Sequence, residues 1–112
     1  MKQKDVISVE SYDEVLDRYS KTEYVVLSRD EYNVAMKQIL ACKIIYITDV
    51  KPYFIPIRIP GLRRNSKVNT LNLYTLEFTN VLKVKSESIG EISSKEFLEI
   101  AQVVSLNFKF PI

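Results

Sequence analysis

The chain has 112 residues and a net charge of +2, with 46% hydrophobic and 27% charged side chains, no histidine, one cysteine and two glycines. This composition is typical of a folded soluble protein, and the length predicts a single domain over residues 1–112. Without histidine the commonest acid–base catalyst and metal ligand is missing, so we expect no metal and no cofactor.

The chain shows no membrane or export signal. No apolar stretch approaches the roughly 18 residues that a spanning helix needs, and the polar N-terminus lacks the pattern of a signal peptide. Cys42 has no second cysteine to pair with and follows an apolar helical stripe, so we interpret it as a core residue. We therefore expect a cytoplasmic protein with no membrane partner.

Three helices are predicted from one repeated signature. A serine followed three residues later by a glutamate, just before apolar residues at helical spacing, is typical of a capping box. The pairs are Ser11 with Glu14, Ser28 with Glu31, and Ser93 with Glu96. Each predicted helix has one apolar stripe, which we expect to pack on a sheet.

Short β-branched and aromatic runs between these helices predict the strands. In chain order they cover residues 6–9, 24–27, 44–48, 53–59, 71–78 and 81–85, with a possible last strand at 106–110. The run at 44–47 is apolar on both faces and predicts a central strand, whereas Pro56 makes 53–59 an edge strand. Within that edge strand Ile55 and Ile57 should face the core. Together the elements predict an α+β fold with about three helices on a mainly antiparallel sheet.

The charges are unevenly distributed. No acid occurs between Asp49 and Glu77, while that stretch carries five basic side chains. Such a segment favours binding to phosphate groups. Our candidates for binding nucleic acid are Arg58, Arg63, Arg64, Lys67 and Lys51, with Phe54 and Tyr53 for stacking on bases. The alternative is a solvated loop whose charges keep an edge strand from pairing with a neighbouring molecule.

Catalytic motifs are weak. The two glycines are too far apart for a phosphate-binding loop. Asp49 and Glu77 could hold magnesium for a nuclease, but no lysine follows Glu77 at the usual spacing. A ribonuclease that uses neither metal nor histidine would draw on Arg63, Arg64, Tyr74 and Glu77, and requires that these side chains converge.

From these patterns we expect a non-catalytic protein that binds DNA or RNA through the basic loop and edge strand, and not an enzyme. The alternative function is an accessory or inhibitory module that binds another protein, or a second copy of itself, through an apolar edge. A homodimer would place two basic loops side by side. The apolar C-terminal run could supply such an edge.

Overall fold

The computed structural model describes residues 1–77 and 86–108. These residues form seven strands and two helices. In chain order they are β1 (Asp5–Asp13), β2 (Arg18–Val26), α1 (Asp30–Met36), β3 (Gln38–Tyr46), β4 (Phe54–Pro56), β5 (Ser66–Asn69), β6 (Tyr74–Glu77), β7 (Ser86–Glu91) and α2 (Ser94–Asn107). The predicted strand at 81–85 lies outside the described residues.

The strands pair antiparallel in the order β4-β5-β3-β2-β1-β7, and β6 also pairs with β3. The α+β class and the mainly antiparallel sheet are therefore confirmed. The central position of β3 is confirmed too, since it pairs with β2 on one side and with β5 and β6 on the other. β4 lies at the end of the order, as Pro56 predicted, and Ile55 and Ile57 face the core at 8% and 3% exposure.

The first predicted helix is wrong. Ser11 and Glu14 belong to a hairpin in which β1 and β2 pair continuously from Val6↔Val25 to Asp13↔Arg18. Tyr12 and Tyr19 are seven residues apart, a spacing that also occurs on one face of a helix, and they are directly opposite each other across the hairpin with ring centroids 5.2 Å apart. Their separation therefore satisfies a cross-strand pair as well as a helical face.

The second predicted helix is present but short. Lys37 adopts a left-handed backbone with φ 52° and ends α1, so Ile39 and Leu40 enter β3. Ser28 does not cap this helix. Its hydroxyl accepts the backbone N–H of Leu40 at 2.9 Å and donates to Asn33, which joins the helix to the strand that follows.

The third predicted helix is confirmed together with its capping box. The Ser93 hydroxyl accepts the Glu96 N–H at 3.1 Å, and the Glu96 carboxylate accepts the Ser93 N–H at 2.9 Å. This helix continues to Asn107, so Leu106 is helical and does not begin a last strand. Residues 109–112 lie outside the described part of the chain.

Two clusters of buried side chains lie on opposite faces of the sheet. One contains Val25 and Cys42 and packs against α2, and the other contains the neighbouring residues Val26 and Ala41. Cys42 is fully buried, as expected of a core residue, and burial raises the pKa of its thiol to about 12. None of the described helices is long and apolar enough to cross a membrane.

Candidate functional site

The basic loop, residues 58–65, joins β4 to β5 and borders an open cavity of about 570 Å³. Arg58, Arg63, Arg64 and Lys67 all line this cavity. The chain therefore brings four of the five predicted cationic residues to one place. No carboxylate among the described residues lies within ion-pairing distance of the three arginines, so their guanidinium groups are available to an anion.

Hydrogen bonds at both ends hold this loop in position. At its base the Ser66 hydroxyl donates to the Ile57 carbonyl at 2.9 Å, and the Ile47 N–H donates to the Asn65 carbonyl at 3.2 Å. Gly61 has φ 97°, a conformation that favours glycine, which explains the Pro-Gly turn in the sequence. The loop is thus anchored to β3 and β5 and does not simply extend into solvent.

Helix α2 also anchors the loop. The second oxygen of the Glu96 carboxylate accepts the Arg58 N–H at 2.9 Å, while the first completes the capping box. Burial by itself would raise the pKa of Glu96, but the hydrogen bonds from Ser93 and Arg58 outweigh it and lower the pKa. The carboxylate is therefore charged at neutral pH and joins the start of α2 to the basic loop.

Strand β7 approaches the loop closely at Gly90. A Cβ atom on this residue would lie 2.6 Å from Cγ2 of Ile59, closer than real Cβ contacts. The backbone φ of Gly90 is not positive, so its conformation does not favour glycine. The reason for a glycine here is the close approach of Ile59.

Beside the cavity, Arg63 contacts Tyr46, which in turn contacts Glu23. Its guanidinium lies over the ring of Tyr46, 3.9 Å from the centroid, in a cation–π arrangement. The Tyr46 hydroxyl donates to the carboxylate of Glu23 at 2.8 Å. Glu23, Tyr46 and Arg63 therefore form a connected cation–phenol–carboxylate group at the edge of the basic cavity, which we call the Tyr46 cluster.

The environment of Tyr46 keeps its hydroxyl protonated. Burial raises its pKa, and the hydrogen bond and negative charge of Glu23 raise it further, while Arg63 opposes the shift in part. A protonated phenol can donate to Glu23 throughout the neutral range. Tyr46 thereby connects the carboxylate to the guanidinium, the first through its hydroxyl and the second through its ring.

The other predicted binding residues lie elsewhere. Phe54 pairs with Asn69 at the end of the β4–β5 hairpin away from the loop, and its ring packs edge-on against Tyr53 with centroids 4.8 Å apart. Lys51 precedes this end, where its carbonyl accepts the Phe54 N–H at 3.1 Å. The aromatic ring beside the arginines is Tyr46, and a role for Lys51, Tyr53 and Phe54 in binding stays a prediction.

The four residues considered for a metal-independent ribonuclease divide into two groups. Tyr74 and Glu77 lie on β6, which pairs with the first half of β3 and places Tyr74 opposite Ala41. The basic loop is beside Tyr46 at the other end of β3, about 17 Å along the strand at the usual rise per residue. Among the described residues, no group of three acidic or cysteine side chains is placed to hold a metal ion.

Sequence reasoning missed Glu23 and Tyr46. Tyr46 lies in the run at 44–47 that predicts a central strand, and Glu23 immediately precedes the predicted strand at 24–27, so neither side chain gave a separate signal. A usable hint was the end of this run, where Tyr46 carries a hydroxyl and the polar residues Thr48 and Asp49 follow. Polar groups at a strand end next to a charged loop are candidates for chemistry.

Solved structures with the same fold are numerous, although no protein-family model and no curated protein matches the sequence. A chain in a MazE-MazF structure from Deinococcus radiodurans is 13% identical with a TM-score of 0.78, covering 95% of this chain and 94% of that one. An endoribonuclease from a mycobacterial species is 15% identical with a TM-score of 0.69, covering 100% and 94%. The Mycobacterium tuberculosis toxin MazF-mt6 is 16% identical with a TM-score of 0.69, covering 91% and 94%.

These similarities establish a MazF-like fold for nearly the whole chain. They also correct our expectation of a non-catalytic binding protein that is not an enzyme. We based that expectation on the missing histidines and on the lack of catalytic motifs, and a protein with the same fold is an endoribonuclease. An α+β fold of this kind is thus compatible with RNA cleavage, and the absence of a sequence motif does not argue against that activity.

Proposed function

We propose that this protein is an endoribonuclease whose reaction takes place at the Tyr46 cluster. The observation that carries the proposal is the contact of Arg63 with Tyr46 and of Tyr46 with Glu23, at the edge of a cavity lined by cationic side chains. The shared fold with an endoribonuclease adds to it. Both the charge of the cavity and the chemistry of the cluster suit a phosphodiester.

RNA brings its own nucleophile, because its 2′-hydroxyl lies next to the phosphorus atom. In the proposed reaction Glu23 accepts the proton of that hydroxyl while the 2′-oxygen attacks phosphorus in line with the departing 5′-oxygen. The bond to the 5′-oxygen breaks, that oxygen takes a proton from water, and a cyclic phosphate remains. The hydroxide left by that water takes the proton from Glu23, which restores the carboxylate. Arg63 would leave the Tyr46 ring to bind the phosphate oxygens, where negative charge increases in the transition state.

The other basic residues would bind the neighbouring phosphates. Arg58, Arg64 and Lys67 line the same cavity, and guanidinium groups without ion-pair partners suit phosphate oxygens. Arg58 is held through its backbone by Glu96, so its side chain extends from a fixed point. We therefore assign these three residues to substrate binding.

A cleavage assay tests this function. Purified protein is incubated with a long RNA in the presence of a chelator, and the 5′-ends produced are mapped, for the wild type, Glu23→Gln and Arg63→Ala. We expect cleavage by the wild type and at least a hundredfold loss in each variant, the size typical of a lost general base or charge-stabilising group. Glu31→Gln, the same change on the exposed helix α1, is the matched control.

Two results would contradict the proposal. One is a wild type that cleaves no RNA at any concentration, and the other is cleavage that persists in Glu23→Gln and Arg63→Ala as it does in Glu31→Gln. The alternative of a protein-binding module stays a prediction. Measuring the molar mass of the protein in solution, alone and with captured partners, tests it.

A further inference from the structure

A second cavity, of about 270 Å³, lies between β1, β2 and β7. Ser8, Glu10, Lys21, Ser86 and Glu87 line it. It adjoins the Tyr46 cluster, because Ser8 is paired directly with Glu23 across the hairpin and direct partners point to the same face of the sheet. Neighbouring strands are about 4.8 Å apart, so a nucleotide at the cluster reaches this cavity.

Ser8 shows that the cavity is open to a ligand. The residue is 9% exposed, and its side chain makes no hydrogen bond with any residue that the structure describes. Every fully buried side-chain oxygen in this part of the chain has a partner, so the Ser8 oxygen must be accessible from the cavity. Ser8 is thus a mostly buried residue whose hydroxyl opens into the cavity and can bond to a ligand there.

The charges around Ser8 define what would fit. Glu87 is its cross-strand partner on β7, and the next pair along the hairpin is Glu10 with Lys21. Carboxylates only accept hydrogen bonds and a lysine ammonium only donates them. A complementary ligand therefore presents a pair of donors to a carboxylate and an acceptor to Lys21.

We propose that this cavity binds the guanine base of a nucleotide adjacent to the cleaved phosphate, an inference that rests on the proposed function. Guanine presents N1–H and its 2-amino group side by side, which match the two oxygens of one carboxylate, and O6 and N7 accept from Lys21. Uracil presents carbonyl oxygens on both sides of its single N–H, and these would face Glu10 and Glu87 unfavourably. The subsite therefore selects guanine and disfavours uracil.

Binding and cleavage are measured separately to test the subsite. The probes are labelled uridine hexamers with one central guanine, inosine or uracil, fully 2′-O-methylated so that the internal nucleophile is blocked. We expect the wild type to bind the guanine hexamer about tenfold more tightly than the uridine hexamer, as one bidentate base contact allows. Inosine, which lacks the 2-amino group, should lose most of this preference.

The variants are Glu10→Gln and Glu87→Gln, and both of them together. Glu31→Gln is the control for each single variant, and Glu31→Gln with Glu99→Gln is the control of equal charge for the double variant. We expect the guanine preference to disappear in the double variant and to remain in the control. Equal affinity of the wild type for all three hexamers, or a preference that persists in the double variant, would overturn the subsite. A guanine preference in a protein that cleaves no unmodified RNA would overturn the proposed reaction and leave the subsite intact.

Discussion

At the scale of single residues, Tyr46 has the most connected position. The guanidinium of Arg63 packs on its ring, and its hydroxyl donates to the carboxylate of Glu23. Tyr46 therefore links β2, β3 and the basic loop. The raised pKa of Tyr46 follows from burial first and from Glu23 second, and it keeps the hydroxyl a donor. Tyr46 therefore positions Glu23 and need not itself exchange a proton with RNA.

Changing Tyr46 to phenylalanine separates these roles. The ring beneath Arg63 remains, but Glu23 loses its donor and its fixed orientation, so we expect RNA cleavage to slow at least tenfold. Folding stability should fall by only about 1 kcal/mol, the usual net worth of one hydrogen bond. Cleavage rates and thermal unfolding measure the two effects, and Tyr53→Phe on the opposite end of the β4–β5 hairpin is the control.

A Tyr46→Phe protein that cleaves RNA at the wild-type rate would show that the hydroxyl has no positioning role. Loss of cleavage together with a large loss of stability would instead show that the hydroxyl is structural. The two readouts therefore distinguish positioning from folding.

The sequence predicted half of this site. Arg58, Arg63, Arg64 and Lys67 were predictable because they are close in the chain and no acid interrupts them. Glu23 and Tyr46 were not predictable, because their contact depends on the pairing of β2 with β3. Pairing of distant segments has no local signature in a single sequence.

At the scale of elements, the basic loop is held by the start of α2 and by strand β7 in addition to its hydrogen bonds beside β3 and β5. Glu96 holds the backbone of the loop at Arg58, and Gly90 leaves room for Ile59. These contacts place the loop against the sheet, where Arg63 reaches Tyr46.

Changing Gly90 to alanine tests this arrangement. The new Cβ would overlap Ile59 Cγ2, and overpacking of this kind costs about 1–3 kcal/mol. We expect a lower unfolding temperature and weaker RNA binding, because the loop must shift. In an Ile59→Ala background the overlapping atom is absent, so the same glycine change should have little effect on either measurement.

A loss of equal size in both backgrounds would contradict the steric explanation. The effect of Gly90→Ala is compared between the wild-type and the Ile59→Ala backgrounds, so the loss of stability caused by truncating the isoleucine cancels.

The elements themselves were unequally predictable. Ser93 and Glu96 form the capping box that their spacing predicts, and the helix after them is long. The same spacing at Ser11 and Glu14 occurs in a hairpin, because continuous pairing between β1 and β2 satisfies the backbone there. Cross-strand pairing therefore overrode a local helix signal, as tertiary context often does.

At the scale of the whole molecule, a net charge of +2 conceals two unlike surfaces. Cations gather around the basic loop, while acids such as Glu10 and Glu87 surround the second cavity. The basic loop would thus attract the phosphates of RNA, and the second cavity would offer hydrogen-bond acceptors to a base.

Reversing two loop charges tests the electrostatic contribution. For Arg63→Glu with Arg64→Glu, we expect RNA affinity to fall steeply and its dependence on salt to weaken, since each phosphate contact on a single strand contributes about 0.7 to the logarithmic slope. Fluorescence anisotropy across a salt series measures both. Arg18→Glu with Arg29→Glu changes the net charge equally at other positions and should alter the slope much less.

An equal loss in both double variants would mean that only total charge matters and that the loop is not a specific phosphate site. Wild-type affinity that does not change with salt would contradict phosphate binding altogether.

The two oxygens of Glu96 couple the stability of the first turn of α2 to that of the basic loop. One oxygen closes the first turn of α2 and the other holds the basic loop at Arg58, so one carboxylate serves both segments. When the first turn of the helix frays and this side chain moves, the loop loses its hydrogen bond at Arg58 at the same time. The loop therefore has the local stability of a helix end, although it contains no regular structure of its own.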